Sequence, residues 1–233
     1  MAGLSRRWTG GPVDRWAGLT AITLAAACGG SGGSGGGEKA PAARDSVAAA
    51  KVAVDTGARP APDSFRVAFE TTRGNFIVQV NRAWAPLGAD RFYALVGQQF
   101  FDGEKFFRVV PGFVAQFGLN GDPKRNEAWD SHLLDDSVRH TNAKGTLTFA
   151  AMAVPNSRSH QLFFNLKDNP GLDRMGFAPI GVVVEGQSVV DSLYSGYGET
   201  PDQTSVQNLG NSYLDRAFPK LDAIKSARIV ATK

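Results

Sequence analysis

The chain has 233 residues, 42% of them hydrophobic, with 25 Lys and Arg against 22 Asp and Glu and a single cysteine. Residues 1–27 hold Arg6, Arg7, Arg15 and Asp14, so the remainder carries 22 basic and 21 acidic side chains, without the clustered positive charge that nucleic-acid phosphates require. One cysteine excludes a disulfide within the chain.

Three arginines precede an apolar run of 12 residues from Trp16 to Ala27 that ends in small side chains, which predicts a signal peptide at residues 1–27. The run is short of the roughly 20 residues that cross a bilayer. Leu24, three alanines and Cys28 resemble a bacterial lipobox, whose cysteine is lipidated and becomes the new N-terminus; the aliphatic residue here lies four positions before the cysteine where the usual pattern has three. The expected location is periplasmic, with a lipid anchor; plain signal cleavage near Ala27 is the alternative to lipidation. Gly29 in place of an aspartate favours the outer membrane. Residues 28–63 then read as the lipidated cysteine and a flexible linker, because GGSGGSGGG and the Ala- and Pro-rich stretch after it offer no sustained apolar face to offset the entropy of ordering. Two fingerprints inside it, GxSxG at 29–33 and GxGxxG at 30–35, are accidents of composition. Neither lies between a strand and a helix, as the mechanics of both require.

The folded domain is expected at residues 64–233, about 170 residues and enough to bury roughly 70% of the unfolded surface. Phe65, Val67 and Phe69 alternate with polar or small residues, and Phe76, Val78 and Val80 repeat the pattern after a turn at Arg73 and Gly74, so a strand hairpin is predicted. Pro86 opens a helix that carries Phe92, Leu95 and Val96 on one face and stops at Gly97. Further strands are predicted at 105–110, 114–118, 146–150, 161–165, 179–184 and 223–230. A second helix holds Val189, Val190 and Leu193 and ends near Gly196, and a short one is expected around 212–218. Many short strands with two main helices point to a mainly β fold, a closed barrel capped by helices, because closure removes exposed strand edges.

The segment FFRVVPGFVAQFG at 106–118 sets one arginine, Arg108, among apolar residues, with Phe113 five and Gln116 eight positions on. A guanidinium stays charged, so its donors need a surface or a cleft. A second segment, GTLTFAAMAVPNSRSHQLFFN at 145–165, carries Gln161 and Phe163 as a QxF pair and Ala153, Pro155 and Asn156 as an AxPN turn; a third is LDRMGFAPIGVVVEG at 172–186. The three resemble the active-site segments of the cyclophilin family in order and spacing. The resemblance covers about Phe65 to Val230 and looks closest to bacterial secreted members.

That resemblance implies an eight-stranded cyclophilin-like barrel and peptidyl-prolyl cis-trans isomerase activity assisting the folding of extracytoplasmic proteins. It implies Arg108, Phe113 and Gln116 as catalytic residues, and Val114, Met152, Ala153, Gln161, Phe163, Leu172 and Phe177 as substrate-binding residues. Proline-containing unfolded or extended polypeptides are the expected partners, with no cofactor and a monomeric chain. The sequence departs from the best-known pattern at Phe117, where a small residue is common, and in one extra residue before Pro155. It has no tryptophan near Leu172, so strong binding of the cyclic peptide cyclosporin is not expected, and no histidine near Phe177, whose own aromatic ring can replace that apolar surface of the pocket wall. A binding module with weak turnover and a structural envelope lipoprotein are the alternatives.

Other constellations carry less. His132, His140 and His160 lack paired metal-ligand spacing, so no metal is expected. Asp135 and Asp136 read as solvated neighbours, and Ser157 or Ser159 with His160 lacks a nucleophile elbow. Trp84 and Trp129 read as loop packing, and residues 197–220 as an extension without an assigned role.

Overall fold

Alternating burial sets the first hairpin. The computed structural model of the chain describes residues 60–231. β1 (Ser64–Thr71) turns Phe65, Val67, Phe69 and Thr71 inward, and β2 (Asn75–Asn81) turns in Phe76, Val78 and Val80, with Phe69 paired opposite Phe76. Gly74, at φ 140°, makes the turn between them, and the Thr71 hydroxyl donates back to the Gly74 carbonyl at 2.6 Å. Cys28, the signal peptide and the linker up to residue 59 lie outside the described residues. Ala61, at the end of the segment expected as a linker, is buried in the core and donates its N–H to Asp90 at 2.9 Å.

α1 (Pro86–Gly97) begins on its proline and buries Ala89, Phe92, Leu95 and Val96. Its first turn is capped from far along the chain. The N–H groups of Leu87 and Gly88 donate to the two carboxylate oxygens of Asp136 at 3.0 and 2.9 Å. The Asp136 side chain is 5% exposed and pairs with the buried Arg158 at 3.0 Å, while Asp135 approaches the same guanidinium at 3.3 Å. Asp136 is therefore not a solvated neighbour of Asp135; orphan helix donors and a buried cation draw its carboxylate inward.

The remaining elements are β3 (Arg108–Val110), β4 (Val114–Phe117), α2 (Pro123–Trp129), β5 (Thr146–Phe149), β6 (Leu162–Asn165), α3 (Gly171–Arg174), β7 (Pro179–Glu185), α4 (Gln187–Asp191), α5 (Gln203–Leu209), α6 (Asn211–Ala217) and β8 (Ile224–Val230). Eight antiparallel strands form one curled sheet in the order β3-β4-β6-β5-β7-β2-β1-β8. The expected closed barrel is corrected here, because β3 and β8 end the ladder as its two edges. Their approaches meet instead: Lys105 bridges Ala223, the Phe106 N–H donates to the Asp222 carbonyl at 3.0 Å, and Gly103 and Ile224 bond at 2.8 Å. β3 has three residues, not the six foreseen, because Phe106 and Val109, an odd three positions apart, both enter the main core while Phe107 enters the second, which a period-two pleat cannot do. The two-helix expectation is also revised. Among the described residues there are six helical segments, of which α1 alone is longer than seven residues.

The concave side of the sheet is filled by phenylalanines. Phe69 stacks on Phe76 with centroids 4.8 Å apart, and Phe117 stacks on Phe164 at 5.4 Å while meeting Phe101 and Phe106 at angles. Phe117 thus serves the interior, on the face opposite Gln116. A second core, of Phe107, Leu119, Val206, Leu214, Phe218 and Leu221, holds the segment between α4 and β8.

Candidate active site

Strand register builds the outer face of β3, β4 and β6. Arg108 lies opposite Gln116 and Gln116 opposite Phe163, so three side chains form one row across three strands. The residues between them, Val109, Ala115 and Phe164, point to the core. Along the row the Arg108 Nη1 donates to Gln116 Oε1 at 3.2 Å, and Gln116 Nε2 donates to Gln161 Oε1 at 2.9 Å. The guanidinium carbon lies 5.7 Å from the centre of the Phe113 ring, within the range of cation–π attraction.

Beside this polar row lies an apolar cluster of Val114, Phe163, Leu172 and Phe177, with Phe113, Ala150 and Ala151 packed on it. Phe163 and Phe177 meet edge to face at 5.8 Å. Leu172 and Phe177 are brought there by the turn of α3, in which the Phe177 N–H donates to the Leu172 carbonyl at 3.1 Å. A buried amide network fastens the walls. Asn142 donates to the Phe177 carbonyl at 2.8 Å, Asn169 to the Phe113 carbonyl at 3.1 Å and to Asn165 Oδ1 at 2.7 Å, and Asn165 to Asn142 at 3.1 Å. Asp173 completes it: desolvation raises its carboxyl pKa, but hydrogen bonds from Thr141 and Asn142 outweigh that and hold it below the ordinary value.

Met152 and Ala153 are expected to hold the peptide through their backbone groups. Both are exposed, on a loop outside the apolar cluster, and the Met152 N–H is committed to the Ser157 hydroxyl at 2.9 Å. Ala150 and Ala151, just before them, pack on the cluster. Of the three histidines, His160 is buried with Nδ1 against the Gly118 carbonyl and His140 stacks on Trp84 at 3.7 Å.

Residues 66–210 match the family described as cyclophilin type peptidyl-prolyl cis-trans isomerase/CLD. The chain belongs to the cyclophilin family. Peptidyl-prolyl cis-trans isomerase A of Dickeya dadantii is 30% identical over 183 residues, 73% of this chain and 87% of that protein. A peptidyl-prolyl cis-trans isomerase of Acinetobacter baylyi is 30% identical over 54% of this chain and 70% of its own length. Among solved structures, a cyclophilin-type isomerase of Cryptosporidium parvum aligns with a TM-score of 0.56 at 17% identity, covering 73% of this chain and 99% of that one. The same protein has been crystallised in the presence of the dipeptide Ala-Pro. As a cyclophilin-type isomerase the chain catalyses rotation about the peptide bond that precedes proline.

Two features of this cyclophilin site escape the sequence. The asparagines at 142, 165 and 169 leave one signal, polar amides inside or beside apolar runs. Glu199 leaves none: 91 positions beyond Arg108, it accepts from Arg108 Nε at 2.8 Å and Nη2 at 2.5 Å.

Proposed function

We propose that this cyclophilin turns X-Pro bonds in extended, extracytoplasmic polypeptides, with Arg108 as an electrostatic catalyst beside a proline-binding wall of Phe113, Val114, Phe163, Leu172 and Phe177. The observation that carries the reading is the juxtaposition of the Arg108 guanidinium, hydrogen-bonded to Gln116 and set over Phe113, with that apolar cluster.

The bond resists rotation by roughly 18–20 kcal/mol because the nitrogen lone pair is delocalised into the carbonyl. Uncatalysed exchange takes tens to hundreds of seconds. No covalent bond need be made. The site must bind the twisted amide better than either planar form, and in the twisted amide the lone pair is localised on nitrogen. A guanidinium donor aimed at that nitrogen stabilises this state and neither planar one. The apolar wall grips the ring while the preceding carbonyl swings, and Gln116 with Gln161 orients the arginine and the peptide. The Ala-Pro dipeptide present with the Cryptosporidium parvum protein supports a small prolyl ligand on this fold. The alternative of a binding module without turnover rests on Phe117 and on the altered pocket at Leu172 and Phe177; of these, Phe117 packs in the interior, away from the row.

The signal-like N-terminus and Cys28 support export and a lipid anchor on the outer membrane, with residues 29–59 as a tether that lets a monomeric domain reach nascent chains in the periplasm. Prolyl exchange in a short Ala-Pro-containing peptide, with the full chain and with Arg108→Ala, tests the catalytic assignment. A loss of about a hundredfold supports it. Equal rates overturn it.

A further inference from the structure

The segment between α4 and β8 is built as part of the active site. It has its own core, but two members of that core, Phe107 and Leu119, belong to the chain that carries the catalytic row: Phe107 immediately precedes Arg108, and Leu119 follows β4 by two residues. Tyr197 packs on Phe218 at 5.1 Å and on Tyr194 at 5.2 Å. Further ties bind the segment to both flanks of β3 and β4. Asn211 bonds the Gly121 carbonyl through its N–H at 3.1 Å and the Gly103 carbonyl through its side chain at 2.9 Å, and Asp215 pairs with Lys105 at 2.7 Å.

What this scaffold delivers is Glu199. It sits in a turn closed by the bonds from the Gly198 N–H to Ser195 at 3.0 Å and from the Thr200 N–H to Tyr197 at 2.9 Å, and its carboxylate meets one edge of the Arg108 guanidinium through Nε and Nη2. Gln116 holds Nη1 from the sheet side. A planar group anchored at Nε and Nη2 by one residue and at Nη1 by another cannot rotate about its own stem without breaking a bond. The Glu199 side chain is 64% exposed, against 12% for Arg108. An ion pair with one partner so open to water adds little to stability, so the value of the contact lies in its geometry.

We propose that Glu199 is a positioning residue for the isomerase, and that the 194–222 segment serves to place it so that Arg108 faces the prolyl nitrogen already oriented. The inference rests on the reading of Arg108 as the electrostatic catalyst. Glutamine at this position keeps an oxygen able to accept both bonds and removes the charge; alanine removes both.

The test is steady-state isomerisation of an Ala-Pro-containing peptide by the full chain, followed by exchange NMR, for wild type, Glu199→Ala, Glu199→Gln and Arg108→Ala, with thermal unfolding to verify each fold. Glu199→Ala is expected to lower kcat by about two- to fivefold, the worth of a partly exposed pair, with KM little changed. Glu199→Gln is expected to keep more than about half of the wild-type kcat, because orientation survives the loss of charge. Unchanged or faster turnover in Glu199→Ala, a loss confined to KM, or a Glu199→Gln enzyme as slow as Glu199→Ala would overturn the inference while leaving Arg108 in place. Equal turnover in wild type and Arg108→Ala would overturn the reading beneath it, and the inference with it.

Discussion

Replacing Glu104 by glutamine changes how stability depends on pH, and the structure gives both sign and slope. Glu104 is fully buried; one carboxylate oxygen accepts the Gly118 N–H at 2.9 Å and the other, Oε1, meets no hydrogen-bond donor among the described residues. Burial pushes its pKa well above the ordinary glutamate value, against the opposing pull of the Gly118 N–H and of Arg125, with Asp102 adding to the rise. In the unfolded chain the group titrates near about 4.3. Between that value and the higher folded one, the native state keeps a proton that the unfolded chain has lost. Stability is therefore full below the unfolded pKa and falls as pH rises, by up to about 1.4 kcal/mol per pH unit. His160, which touches the other side of Gly118, acts in the opposite sense. Burial lowers its pKa, so stability is lost as pH falls through the unfolded value of about 6.5. That term is common to both proteins. Urea unfolding of wild type and Glu104→Gln at half-unit steps from pH 5 to 8 should show the mutant gaining on wild type as pH rises. A difference independent of pH would refute the reasoning, because it would mean that the buried acid does not hold its proton on folding.

Two further outcomes follow from named contacts. Gly118 has φ 100°, and a Cβ there would stand 2.4 Å from the His160 carbonyl oxygen and 2.6 Å from the Gln161 Cα. Gly118→Ala should cost roughly 2–4 kcal/mol in urea unfolding and should slow isomerisation by shifting Gln161 from Gln116; a variant as stable and as fast as wild type would contradict the tight approach of the two strands. Cys28→Ala should move the protein from the membrane pellet to the soluble fraction in cell fractionation, and persistent co-sedimentation would point to another attachment.

Much of the site was legible because it is local in sequence. Arg108, Phe113 and Gln116 lie within nine residues, and period two alone puts Arg108 and Gln116 on one face once the hairpin between β3 and β4 is granted. The QxF pair of the family resemblance singled out Phe163, and the register of β6 on β4 gives the physical reason, sending Phe163 to the apolar cluster and Phe164 to the core. The helix at 86–97 was read to the residue because proline and an apolar stripe mark it. What failed was long-range. Asp136 reaches back to the start of α1, Glu199 reaches Arg108, and residues 103–106 meet 222–224 without a strand pair; no periodicity encodes any of these contacts. The loop at 151–157 folds on the Ser157 hydroxyl, a contact that residue type alone does not announce.

The central claim is that Arg108 acts on the twisted bond and not on the resting peptide. Exchange NMR on a peptide with one Ala-Pro bond measures both the Kd for the peptide and the interconversion rate of the bound peptide, for wild type and Arg108→Ala. The expected result is a fall of about a hundredfold in the bound-state rate with Kd changed by no more than a few-fold, since the apolar cluster that grips the ring is intact. A bound-state rate that survives the substitution while Kd rises would make Arg108 a binding residue and would contradict the claim.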